Sequence, residues 1–407
     1  MSDAQGPIAF LRSPSTIRAR CREVLELGLS GALDHFEVRM DALPRVVDRV
    51  VAVLRAAHPT LAIPRHSRWN ALRAGGIDRV ADLDARLSHL PDDDRARVRF
   101  ALVITSMLLD GIASPEWRYR EPGTGKVFRG SEGIAVASYH MFVDGTFSSD
   151  PSSPCRADAD GLERLDAMRL GSALQAASGN PIVGLEARAD LLGRLSSAMR
   201  ATPRFFGHAS KETPRLGRLF DACLAREEGG MIPARRVLFV VLEGLGPIWP
   251  GRLELLDVNL GDVWKHGKVG GPAITAGFVP FHKLSQLVAY SLIEVLERAG
   301  VRVVGEDELT GLADVRHGNL FVDDGVLVPK HDRVLGRAYG PGDEPIVEWR
   351  ALTVALLDEL ARGVRESLGA PLTLAQIMEG GTREAGKRAR EERGGATIVV
   401  ESDGTVL

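Results

Sequence analysis

Several groups of side chains in this sequence have the types and spacing that chemistry uses. His66-Ser67-Arg68-Trp69-Asn70 gathers an imidazole, a guanidinium and an indole between Pro59 and Gly76, a denser set than a mere connector needs. Glu243 follows the unbroken apolar run Val237-Leu238-Phe239-Val240-Val241-Leu242 and precedes Gly244, Gly246 and Pro247. Its carboxylate is placed to stand at a pocket wall or to cap a turn. His282 and Lys283 adjoin one another, a proton donor or packed imidazole beside an ammonium. Lys283, Gln286, Tyr290, Glu294 and Glu297 recur at spacings of three and four, which aligns them along one stripe of a helix. That stripe either meets water or offers a small polar molecule charge and hydrogen bonds. Glu348 and Arg350 stand at the start of another helix, and Asp110 follows a buried one. Trp69, Trp117 and Trp249 either stack on a flat ligand or fill core.

Other chemistries are disfavoured. No His, Asp or Glu cluster has the spacing of HExxH, and Cys21, Cys155 and Cys223 are far apart with no CxxC pair, so neither a catalytic metal nor a disulfide framework is expected. Gly123-Thr124-Gly125-Lys126 lacks the first glycine of a phosphate loop and has Val127 where the metal-binding hydroxyl belongs, which leaves a plain turn. No cofactor is expected. The 51 basic and 54 acidic residues nearly cancel, which argues against nucleic acid or a membrane surface as partner and for a small molecule. No apolar run reaches the roughly 18 residues of a membrane span, and the N-terminus lacks a signal pattern, so a cytoplasmic protein is expected.

The elements that must position these groups are mainly helical. Ser13 and Pro14 mark the start of a first helix with Ile17, Cys21, Val24 and Leu25 on one face, and a second runs through Val46, Val47, Val50 and Leu54. A buried helix spans about Asp94 to Leu109, with Gly111 as its cap. Trp117 to Tyr119 and Lys126 to Phe128 flank a turn, and Ser131-Glu132 opens a helix through Phe142. Two helices are expected over Gly161 to Ser178 and Leu185 to Arg200. The run Val237 to Leu242 is too short to decide between strand and helix. Lys283 to Arg298 is a helix with Gly300 as its stop, Leu320 to Val328 reads as a hairpin turning at Asp324-Gly325, and Val347 to Leu368 is a last long helix. Ala396 to Val400 reads as a strand. Strands and helices do not alternate regularly, which disfavours a dinucleotide fold. The expectation is a mainly α architecture, an integrated multi-helix domain with a few short strands and hairpins, divided into an N-terminal helical lobe over 1-95 and a main helical domain over 96-407 that carries the pocket.

Taken together, Pro280 to Gln286, Tyr290 to Glu294, Glu308 to Leu312, Val347 to Thr353 and Glu379-Gly380-Gly381-Thr382 resemble the uracil-catabolism protein four family of yeasts and bacteria. The likeness reaches both ends, through Ile17 to Cys21, His66 to Trp69, Ser131-Glu132-Gly133, Met141-Phe142 and Ser402 to Val406. Ser67 departs from it, since the family more often carries Gly there. A remoter resemblance, to the queuosine-salvage N-glycosylases, runs through Val98 to Phe142, Arg236 to Glu243, Lys283 to Gln286 and Val347 to Arg350. In those enzymes an aspartate stands where this chain has Glu243, and a second lies just before the position of Lys283, where this chain has Pro280, Phe281 and His282.

The first resemblance implies a part in the route that opens the uracil ring and yields urea; the second implies cleavage of a ribosyl C–N bond. The step expected on these grounds is hydrolysis of ribosylurea or its 5′-phosphate, downstream of a cyclohydrolase-like ring-opening enzyme. Such a reaction wants a carboxylate near the anomeric carbon, a proton donor near the leaving nitrogen and cations for a phosphate. Glu243, His282 and Asp110 are the candidates for catalysis, and Lys283, Gln286, Tyr290, Glu348, Arg350, Trp249, His66, Arg68 and Trp69 for substrate binding. Two alternatives stand beside this reading: an amidohydrolase or deaminase acting on a ring-opened pyrimidine product, and a non-catalytic partner of the ring-opening enzyme.

Overall fold

Ser13 accepts a hydrogen bond from the Thr16 amide and Pro14 takes the first helical position, so α1 (Pro14–Leu29) starts where its capping residues dictate. The chain is seen here as a computed structural model that describes residues 6–110, 116–207, 212–225, 229–250 and 252–401. The architecture is mainly α. Strands are two or three residues long, and every sheet among the described residues has two strands.

Helix α2 (Leu43–Ala57) buries Val46, Val47, Val50 and Leu54. Helix α3 (Asp92–Leu108) opens on Asp92, Asp93 and Asp94, whose charges complement the positive end of the helix dipole. It crosses α4 (Gly130–Val143) and α6 (Lys283–Arg298), and α5 (Ala234–Leu245) packs on α6. Helix α7 (Val315–Asp323) lies against α9 (Arg383–Arg393), while the long α8 (Glu344–Leu368) packs on both α1 and α2. The last sixty or so residues are thereby joined to the first sixty in one apolar cluster.

The undecided run Val237 to Leu242 is helical. Pro233 precedes its start, Phe239 turns outward, and its neighbours on both sides are buried against α6 and the adjoining elements, which is a helical rather than a strand distribution. The stretch read as a hairpin over Leu320 to Val328 is instead the end of α7. Gly325, at φ 78°, stops that helix, with Gly325 N–H on the Val322 carbonyl and Val326 N–H on that of Phe321. The same Asp-Gly pair that makes a hairpin turn also makes a helix stop. Leu327–Pro329 then pairs with Phe36–Val38, far away in sequence. The helix expected over Gly161 to Ser178 is broken into Ala159–Glu163 and Ala167–Ala173, because Asp166 caps the second piece through the Arg169 amide. The short hairpin of Tyr119–Arg120 with Val127–Phe128 is present. Gly111 and the stretch 402–406 lie outside the described residues, and no described helix is long and apolar enough to cross a membrane.

Candidate functional site

The segment after α2 is pinned at several points. The Ile63 carbonyl accepts from Gln376, the His66 amide donates to the Ala375 carbonyl at 3.1 Å, and Arg65 is paired with Glu297 and Glu306. Ser67 then caps the short helix Arg68–Ala71. These ties deliver His66 and Arg68 to a cavity of about 290 Å³, which takes residues from six separate stretches of chain. Buried Arg68 donates to the Ser106 hydroxyl at 2.7 Å and to the Asp110 carboxylate at 2.5 Å. Ser131, in the first turn of α4, donates to that carboxylate at 2.6 Å. Both contacts fall on Oδ2, so Oδ1 of Asp110 has no partner among the described residues.

On a second wall, Nδ1 of His66 lies 2.5 Å from Glu379 and Arg383 donates to the other oxygen of that carboxylate at 3.0 Å. Burial alone would raise the pKa of Glu379, but the hydrogen bond to His66 and the charge of Arg383 hold it below the ordinary value. Glu379 stands on a single π turn, Met378–Thr382, ahead of α9. Gly380 and Gly381 allow this turn to press on the first part of the chain: a Cβ at either would come within 2.7 Å of Ile63 or Val50. Thr382 reaches Nδ1 of His317 at 2.9 Å. Burial pushes the His317 imidazole down to about 3, so it is neutral near pH 7.

On a third wall, Lys283 begins α6 and sets its ammonium 3.1 Å from Asp314. Asp314 also caps α7 by accepting the Arg316 amide at 2.9 Å. Burial would raise its pKa, yet Lys283 and the neighbouring positive groups hold it far below the usual carboxylate range. Arg316 lines the same cavity. Among the described residues no three His, Cys, Asp or Glu side chains converge as a metal ion requires.

Of the candidates named from sequence, His66, Arg68, Asp110 and Lys283 meet here. The others do not line this cavity. Glu243, on α5, is engaged by Arg12 at 2.5 Å and Arg204 at 3.2 Å. His282 adopts a left-handed conformation at the N-cap of α6 and turns Nε2 to the Leu11 carbonyl at 3.1 Å; burial pushes it down to about 4. Gln286 and Tyr290 are buried and both bond to Thr310, so the middle of their stripe faces neither water nor cavity. Glu348 accepts the backbone amides of His35 and Phe36. Arg350 makes two bonds of 2.8 Å to Asp262, whose carboxylate also receives the Lys283 amide. Trp69 is core, its indole donating to the Ser291 carbonyl, and Trp249 packs partly buried near Gly261.

Sequence reasoning missed Asp314, Arg316, His317 and Arg383, and did not assign Glu379 a place in the site. Glu379 lay within a stretch that carried the family resemblance. The other three acidic and basic groups before it were hidden by the hairpin reading, since without α7 there is no N-cap to bring Asp314, Arg316 and His317 together.

Residues 10–407 match the family described as "Protein of unknown function (DUF1688)". This chain belongs to that family. A DUF1688 chain should align with its relatives across the whole fold, since the cavity draws on both halves, and it does. It is 35% identical to the protein named "Protein urg3" of Schizosaccharomyces pombe, over 98% of this chain and 99% of the relative. It is 31% identical to "Uracil catabolism protein 4" of Lachancea kluyveri, again over 98% of this chain and 99% of the relative.

Proposed function

We propose that this protein acts in uracil catabolism and that its cavity hydrolyses the ribosyl C–N bond of ribosylurea or its 5′-phosphate. The name of the Lachancea kluyveri relative supports the pathway. The observation that carries the reaction is the company of two groups in one cavity: Asp110, with an oxygen left open, and His66, whose Nδ1 is held by Glu379 while Nε2 has no partner among the described residues. Asp314 and Glu379 are already committed to Lys283 and to His66 with Arg383.

In this reading Asp110 faces the anomeric carbon, stabilises the positive charge that develops there and takes a proton from the attacking water. His66 delivers a proton to the departing nitrogen, so the C–N bond breaks with water added and leaves ribose (or its phosphate) and neutral urea. Glu379 orients the imidazole through Nδ1 and leaves Nε2 to face the leaving group. A cavity of 290 Å³ sits at the small end of the ~300–1,000 Å³ typical of ligand pockets, which suits a pentose carrying a four-atom ureido group.

The test is product identity with synthetic ribosylurea and its phosphate. Urea is the expected product, and Asp110→Asn should lower its release by about 10²–10³-fold, the loss typical of one preorganised charged group. Ammonia in place of urea would mean that the ureido bond is cut instead and would remove this reaction. Turnover that survives Asp110→Asn would remove Asp110 from it.

A further inference from the structure

The side chains of fixed charge around the cavity do not balance. Three cations are matched one to one with carboxylates: Arg68 with Asp110 at 2.5 Å, Lys283 with Asp314 at 3.1 Å, and Arg383 with Glu379 at 3.0 Å. The fourth, Arg316, lines the same cavity half-buried, and its guanidinium has no hydrogen-bond or ion-pair partner among the described residues. Its backbone is fully engaged, because the amide is taken by Asp314 at the cap of α7 and the carbonyl lies against Gly386 of α9, where a Cβ would approach it to 2.4 Å. The residue is therefore held rigidly while its charged end is left open. Lys283 pairs with Asp314, whose other oxygen accepts the Arg316 amide, so both positive residues reach the cavity beside one carboxylate.

An arginine fork at a cavity wall is matched by a planar pair of oxyanion oxygens, bonded bidentately. A carboxylate or a phosphate offers that geometry. On a ribosylurea scaffold the choice narrows, since neither ribose nor urea ionises near neutral pH and an anionic group can enter only as an ester on a sugar hydroxyl. We infer that Arg316 reads a phosphate monoester on the substrate, with Lys283 nearby as a secondary charge, and that the cavity selects the phosphorylated ribosyl compound over the free nucleoside analogue. This rests on the proposed reaction for the sugar, and on the charge imbalance for the phosphate.

The experiment measures binding rather than turnover, by calorimetry with ribose 5-phosphate, ribose and inorganic phosphate as probes of the full-length protein. Wild type is expected to favour ribose 5-phosphate over ribose by about 10- to 100-fold, the range of a charge-assisted bidentate contact. Arg316→Gln should remove most of that preference, and Arg316→Lys, which keeps the charge, should retain a larger share. Equal binding of ribose and ribose 5-phosphate by wild type overturns the inference, as does a preference unchanged in Arg316→Gln or lost equally in both variants. Inorganic phosphate should compete with ribose 5-phosphate in wild type, and failure to compete also counts against the site. A protein that passes these tests but releases no urea from either ribosylurea refutes the reaction and leaves the phosphate site standing. One that releases urea without any phosphate preference does the reverse.

Discussion

Two clusters of charged side chains in this molecule invite comparison. One surrounds Asp262, Arg350 and Glu348; the other lines the cavity. In the first, every carboxylate oxygen is taken by the protein itself. Asp262 receives two bonds from Arg350, one from the Trp264 indole and one from the Lys283 amide, and Glu348 receives the amides of His35 and Phe36 on one oxygen with His266 at 3.4 Å from the other. In the second, Oδ1 of Asp110, Nε2 of His66 and the guanidinium of Arg316 have no partner among the described residues. Both are dense in chemistry-bearing residue types. The difference is that the carboxylates of one are wholly occupied in holding the fold, whereas the other keeps part of its bonding capacity for a visitor.

The comparison breaks most visibly if Asp262 proves dispensable. Asp262→Ala leaves Arg350, fully shielded from solvent, without its carboxylate, and stability measured by denaturant unfolding should fall by about 3–5 kcal/mol. A loss under about 1 kcal/mol would mean that the first cluster is not structural. Asp110→Asn, in the second cluster, takes the charge from the partner of buried Arg68 but keeps an oxygen to accept its hydrogen bond, so a smaller loss of about 1–3 kcal/mol is expected by the same measurement.

Acid is the next lever, because each region holds a buried neutral histidine. His282 is pushed down to about 4 and His317 to about 3 from 6.5. As pH falls below about 6.5 the unfolded chain takes up both protons while the folded chain does not, so stability declines, by up to ~1.4 kcal/mol per pH unit for each histidine, until the folded-state values are reached. Asp262, held at about 2, loses its contribution in the more acidic range below its unfolded value of 3.8. Unfolding free energies at pH 7 and pH 5 should therefore differ by a few kcal/mol, and a flat profile would show that these imidazoles are not neutral in the fold. The smallest effect is expected of Glu243→Gln. It weakens the contacts with Arg12 and Arg204 at a partly solvated position, so stability should change by about 1 kcal/mol or less and urea release by less than threefold. A hundredfold loss of turnover would return Glu243 to the catalytic set.

The helical architecture was legible because it rests on local rules: the Ser13 cap, the apolar faces of α1, α2 and α6, and the acidic first turn of α3 are all written in neighbouring residues. Half the walls of the cavity were legible for the same reason, since His66 and Arg68 stand out in a polar loop and Asp110 at the end of a buried helix. What stayed hidden depends on tertiary partners. Nothing near Glu348 reveals that two amides of a distant strand will occupy it, and nothing near Gln286 or Tyr290 announces Thr310. The Asp-Gly pair at Asp324-Gly325 serves a hairpin and a helix stop equally well, and choosing the hairpin concealed the start of α7 with its three site residues. The family resemblance, in turn, drew attention to Glu243 by position, while only geometry shows that Arg12 and Arg204 already hold it.

The bond between His66 and Glu379 joins residues 313 positions apart. A cavity closed by contacts of that span does not exist until the chain has nearly finished folding, and it cannot survive in a fragment that lacks either end. Chains dominated by such distant pairings assemble slowly. Whatever fills the cavity therefore acts as a clasp between the beginning and the end of the polypeptide: its binding free energy is added to the opening of the whole molecule, and its presence should protect remote backbone amides from exchange as well as those that touch it.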